Sequence, residues 1–221
     1  KNSSTALRVD SAWGNLPNLR VNNTIITHSS RVGLYGGYGN VLGTNLAIGP
    51  SGVYGFYSLG GNYRFDHSTI NNTWSFSSRG GTGIGMVNFF EDAEGNRYTR
   101  SLSATFTNTY IGGNLASEVA MGIDNNDVFD VRFENSALKI EPNPEAGHYA
   151  LSDTTLFKNC EFNLNWGFTF TPWIPEDQWR FLPDSASLLF AKAKATAISP
   201  SLDLGGSTRS TPASIGALER P

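Results

Sequence analysis

Three groups of side chains in this sequence have types and spacings that could do chemistry. Asp124, Asp127 and Asp130 recur at three-residue intervals in the acidic, amide-rich run Asp124-Asn125-Asn126-Asp127-Val128-Phe129-Asp130. Carboxylate and amide oxygens of this kind suit Ca²⁺. The run lacks the glycine and the distal glutamate that a helix-loop-helix calcium loop places at fixed offsets. It therefore reads better as a solvated turn before a strand at Val131, and Ca²⁺ is a minority expectation with no other cofactor implied. The second group is aromatic: Trp166, Trp173 and Trp179 in a proline-rich stretch, together with Tyr35, Tyr38, Tyr54 and Tyr57. Such rings either cover a core or offer flat faces to sugars.

The third group is titratable. Cys160 is the single cysteine, so no internal disulfide can form, and a lone cysteine is far more often structural than nucleophilic. His148 lies in a loop over residues 141–154 without a visible partner. Glycoside hydrolysis needs carboxylates converging on one groove, and lyase action needs a base, often beside a cation that neutralises a uronate. Arg64 with Asp66 and Arg132 with Glu134 are two apart in sequence, which is the pattern of a solvated, weakly ion-paired sheet surface. No acid triplet recurs, so no residue is assigned a catalytic role.

Charge and hydropathy narrow the partners. A net charge of −3 leaves no electrostatic footprint for nucleic acid, and no run of about 18 apolar residues exists for direct membrane insertion. Gly, Asn, Ser and Thr abound, and Phe, Tyr and Trp make up 12 % of the chain, an all-β profile rich in turns.

The elements that must position these residues come from an internal repeat. Val131–Leu138 shares an eight-residue pattern with Leu19–Ile26, Val41–Ile48, Tyr63–Ile70, Ala104–Ile111 and Thr155–Phe162. A polar reference column runs Asn23, Asn45, His67, Asn108, Asn135, Asn159, at spacings of 22, 22, 41, 27 and 24 residues. Two residues earlier stand Val21, Gly43, Phe65, Phe106, Phe133 and Phe157; three residues later stand Ile26, Ile48, Ile70, Ile111, Leu138 and Phe162. A unit this short cannot bury an apolar face alone and must stack on its neighbours. Strand alternation would then put the Phe file inside and Arg64, Asp66, Arg132 and Glu134 in water. A polar column aligned with buried rings must be satisfied. The expectation is an inward corner where each amide bonds the next, with His67 substituting in the ladder rather than acting as a catalyst.

These columns resemble the right-handed parallel β-helix repeat proteins, whose coils read hydrophobic-x-hydrophobic-x-Asn-x-x-Ile; the likeness covers most of residues 19–163. Right-handed connections are also the general preference between parallel strands. The C-terminal run Ile198 to Arg209, followed by Pro212 to Glu219, resembles the terminal signature of secreted bacterial β-helix proteins, particularly those of Bacteroidetes. It keeps Asp203, Gly206, Arg209, Ile215, Gly216, Ala217 and Glu219, and departs at Ser214 and Leu218, where Asp and an aromatic are usual. Asp203 and Arg209 are expected to pair across a glycine turn, with the segment acting as a fold terminator.

The expected architecture is an all-β, right-handed parallel β-helix of about six to seven coils over residues 1–165. An insertion at about 71–103 carries a hairpin near Phe89–Tyr98, and 166–221 forms an irregular C-terminal cap of the same domain. Further coils are expected upstream of Lys1, because an open coil end exposes a sheet edge. A ladder without a site constellation points to a non-catalytic module, extracellular or at the cell surface: an adhesin, spacer or subunit of a surface protein assembly. The alternatives are a polysaccharide lyase or glycoside hydrolase, and a carbohydrate-binding module.

Overall fold

A computed structural model describes residues 3–11, 17–141, 149–163, 167, 181–184 and 186–219. Strands and turns make up the described residues, and no helix occurs among them. The alternating pattern of the repeats produces this. Strands Leu19–Ile26, Asn40–Ile48, Gly61–Asp66, Leu102–Thr107, Phe129–Glu134 and Phe157–Lys158 run parallel in one sheet. Their register pairs Val21 with Gly43, Gly43 with Phe65, and then Phe65, Phe106, Phe133 and Phe157 in succession.

Thr69–Asn72, Tyr110–Gly113, Ala137–Leu138 and Glu161–Phe162 continue the same sheet, pairing Ile48, Ile70, Ile111, Leu138 and Phe162 in succession. A second parallel sheet joins Thr5–Asp10, Val32–Gly37, Tyr54–Leu59, Ile84–Val87 and Val119–Gly122, with Leu7, Leu34, Phe56, Ile84 and Val119 aligned. Among the named strands, antiparallel pairing is confined to Phe89–Glu91 with Arg97–Thr99. This is the expected hairpin, closed where Asp92 Oδ1 accepts the Glu94 and Asn96 amides.

The core lies where the two sheets face each other. Successive Phe rings stack at 5.2, 5.1 and 5.5 Å between centroids, and Phe56 of the second sheet meets Phe65 edge-on at 5.0 Å. Phe65, Phe106 and Phe133 are completely buried. Offset-stacked rings add specific attraction to the burial of their area. Gly43 interrupts the file because the Phe65 ring occupies its side-chain space; a Cβ there would stand 2.7 Å from Phe65 Cδ1.

All six reference residues have positive φ, between 47° and 53°. Each is a left-handed corner, a conformation that Asn tolerates better than most side chains. The expected inward orientation is corrected: Asn23 and Asn159 at the two ends of the column are exposed, so the corner points away from the core. Between the ends the column is buried, at Asn45, His67, Asn108 and Asn135, and residues 193–219 lie across Asn45, His67 and Asn108.

The stacked file should dominate stability. Phe106→Ala is expected to cost about 3–5 kcal/mol, and Thr105→Ala, on the outward side of the same strand, less than about 0.5 kcal/mol. Urea unfolding of both variants checks this; equal losses would contradict a one-sided core.

Candidate functional site

Residues 193–219 contact the stack through its corner file. Asn45 Nδ2 donates to Leu202 O (2.7 Å) and to Asn23 Oδ1 (2.8 Å). Asn108 Nδ2 donates to Lys194 O, while its Oδ1 accepts the Lys194 amide, both at 2.8 Å. The chain then returns: the Gly216 amide donates to Asn108 O and the Ala217 amide to Thr69 Oγ1. Outward residues just past the corner complete the seat. Tyr110 and Ala137 cluster with Leu189, Ala193 and Ile215, and Ala47 clusters with Phe181 and Ala217. Amide-to-amide bonds of the expected ladder occur between Asn45 and Asn23, and between Asn159 and Asn135 at 3.3 Å. In the middle, the C-terminal segment takes over the amides.

Residues 203–219 form a buried polar network. Arg209 pairs with Glu219 at 3.3 Å rather than with Asp203 as expected, and its Nη2 donates to Asn45 Oδ1 and to the Gly216 and Ala217 carbonyls. Asp203 instead accepts the Ser207 and Glu219 amides. Ser214 donates both its amide and its hydroxyl to Glu219.

Beneath this segment sits an Asp–His pair. Asp66, expected in water, is fully buried, because residues 193–219 cover the face it projects from. Its Oδ1 accepts from His67 Nδ1 (2.8 Å) and Asn108 Nδ2 (2.9 Å), and its Oδ2 accepts from the Thr196 and Ser199 hydroxyls. Burial by itself would raise the Asp66 carboxyl, yet the hydrogen bonds from His67, Thr196 and Asn108 outweigh it and hold the group below its ordinary value. His67 Nε2 is buried without a partner, and the ring lines a cavity of about 450 Å³ between the corner file and the C-terminal segment, beside Ala193, Ser199, Pro200, Arg209 and Ala213. The one sequence signal for this arrangement was the single non-Asn residue in the corner column, preceded by an acid.

The other anticipated residues are dispersed. Asp124 caps Asn126 and meets Arg97 at 3.3 Å; Asp127 bonds Ser101 and the Val128 amide; Asp130 pairs with Arg132 at 2.9 Å. The three do not converge, and no group of three metal-capable side chains occurs among the described residues. Arg132 thus pairs with Asp130 and not, as expected, with Glu134. Cys160 is half-buried, its thiol bonded to Phe133 O at 3.2 Å and pushed up to about 11 by burial. Trp166, Trp173, Trp179 and His148 lie outside the described residues.

Tyr35, Tyr54 and Tyr57 do converge, on the outer face of the second sheet. Tyr35 and Tyr57 stack at 5.9 Å, Tyr54 and Tyr57 meet at 4.9 Å, and Arg8 stands 4.8 Å over Tyr35. Gly85 is next in that register, and the Tyr54 and Tyr57 rings lie over it. Tyr38 departs to pair with Arg100.

Two further grooves carry charge. One of about 420 Å³ has Arg64, Lys194 and Glu134 in its walls. The other, of about 320 Å³, includes Asp130, Arg132 and Asp153. Asp153 Oδ1 accepts the Thr155 hydroxyl and amide, which hold its carboxyl below the ordinary value. Sequence reasoning also missed a completely buried Glu118, bonded by both oxygens to Arg79 at 2.6 and 2.7 Å and by the Gly83 and Leu115 amides. It ties the start of the insertion to the second sheet.

Comparison with protein-family models, with curated proteins and with solved structures finds no match to this chain.

A carboxyl held below its unfolded value stabilises the fold fully above that value and loses its contribution as pH falls through the folded one. For Asp66 the unfolded reference is 3.8. Asp66→Asn should therefore cost about 2 kcal/mol at neutral pH, and the difference from the parent should shrink below about pH 4. Chemical denaturation at several pH values measures it, and a difference unchanged down to pH 3 would contradict the assignment.

Proposed function

We propose that this chain is a non-catalytic right-handed parallel β-helix module of a secreted or cell-surface protein, serving as an adhesin, spacer or subunit of a surface assembly. In-register parallel strands, left-handed corners at every reference residue and an internal Phe file all suit successive coils of a β-helix. The observation that carries the functional reading is how the groove carboxylates are engaged. Asp66 is under the C-terminal segment, bonded to His67, Asn108 and Thr196. Asp130 is held by Arg132, and Asp153 caps Thr155. Glu134 is the one carboxylate among the residues lining its groove.

Hydrolysis of a glycosidic bond needs a general acid whose carboxyl is raised, facing a second carboxylate. Asp130 and Asp153 share a groove, but Asp153 is shifted the other way. This arrangement supports scaffold over catalyst.

A second reading is favoured by a specific observation, the Tyr35–Tyr57–Tyr54 face beside Arg8. Aromatic edges and hydroxyls grouped on a parallel sheet suit contact with a polysaccharide chain running across the strands. In this reading the module holds glycan without cleaving it.

Reducing-end and uronate-release assays on pectin, alginate and neutral glucans should give no product above blank, and sustained turnover would overturn the scaffold reading. Affinity electrophoresis through the same polysaccharides tests the glycan reading. Retardation that falls at least tenfold in Tyr57→Ala supports it, and unaltered mobility in every gel excludes it.

A further inference from the structure

The cavity under the C-terminal segment has features that the scaffold reading leaves unused. Nδ1 of His67 must carry a proton, because it faces the Asp66 carboxylate at 2.8 Å, while the neighbouring Asn108 Nδ2 directs its two hydrogens to Asp66 Oδ1 and Lys194 O. Nε2 is the ring's remaining polar atom, an acceptor in the neutral imidazole and a donor in the imidazolium. It belongs to a ring that is 1 % exposed, and it has no partner. A buried polar atom in that state is expensive unless a partner pairs with it.

Arg209 lines the same cavity. Both its Nη atoms are bonded, whereas Nε is buried and unpartnered. Its charge is already matched by Glu219 at 3.3 Å, so it does not select an anion. The remaining wall is largely apolar, with Ala193, Pro200 and Ala213. A cavity of about 450 Å³ that combines apolar walls with a few convergent polar groups has the character of a small-molecule site.

We propose that this cavity binds a small neutral molecule with an apolar body and a hydroxyl group, the hydroxyl hydrogen-bonding with His67 Nε2 and lying within reach of the Arg209 Nε–H. The class is that of simple phenols and compact alcohols. Binding involves no covalent step. Because the site sits between the corner file and residues 193–213, an occupant would also fasten that segment to the stack.

The test uses the 221-residue chain with ¹⁵N-labelled histidine, titrated with phenol and, separately, with toluene, which has the same body and no hydroxyl. His67→Asn identifies the His67 ring signals by their loss. Asn occupies the other five corner positions, so this variant keeps the fold, which its melting temperature verifies. The expected result is a saturable phenol-induced shift of the His67 Nε2 resonance, affinity at least tenfold weaker in His67→Asn, and toluene binding at least tenfold weaker than phenol. An unmoved Nε2 resonance overturns the proposal, as does phenol affinity equal in the variant or matched by toluene.

Discussion

The structure depends on one backbone constraint, a left-handed corner recurring at Asn23, Asn45, His67, Asn108, Asn135 and Asn159. A single residue in that conformation redirects the strand, so that the position two before it and the position three after it both face inward. The outward positions change sides with them. Asn suits the corner because its short polar side chain lowers the cost of positive φ. Aligning six such corners fixes the parallel register, because a slip by one residue would move the Phe file to the solvent face.

The corner has a second consequence, since it leaves a column of amides and carbonyls on the outside. At the ends of the column, neighbouring amides bond each other, Asn45 to Asn23 and Asn159 to Asn135. In the middle, the C-terminal segment bonds them, through Lys194, Leu202, Arg209 and Gly216. That segment carries few apolar anchors, chiefly Phe181, Leu189, Ile215 and Ala217, and is held largely by buried polar groups. Networks of this kind specify one docking register strongly, because any alternative strands charged or polar atoms without partners. Arg209, Glu219, Asp203 and Ser214 form its centre, and it is also what buries Asp66 and His67.

The repeat made the strands, the internal Phe file and the hairpin at Phe89–Tyr98 legible from sequence, because period-two alternation and turn chemistry are local signals. Gly43 reads as a defect in the column until the Phe65 ring is seen in its place. The direction of the Asn column was not legible. Aligned amides suit an inward ladder or an outward one equally well, and burial of Asn45, His67 and Asn108 depends on chain more than eighty residues away. The same long-range contact hid the Asp66–His67 pair, which sequence spacing assigns to solvent and to the ladder respectively. Arg79 and Glu118 are 39 residues apart and announce no pairing. The pairing expected of Asp203 with Arg209 failed because Glu219 reaches the guanidinium, while backbone amides occupy both Asp203 oxygens.

Hydrogen exchange in an Asn108→Gly variant separates the two roles of the corner, because glycine keeps the left-handed backbone and removes only the amide. The result predicted is amide exchange at least tenfold faster across residues 193–218, with Leu102–Thr107 and Phe129–Glu134 still protected. Unchanged protection of 193–218, or loss of protection in those strands together with it, would contradict a stack that folds on its corners and holds its C-terminal segment by their side chains.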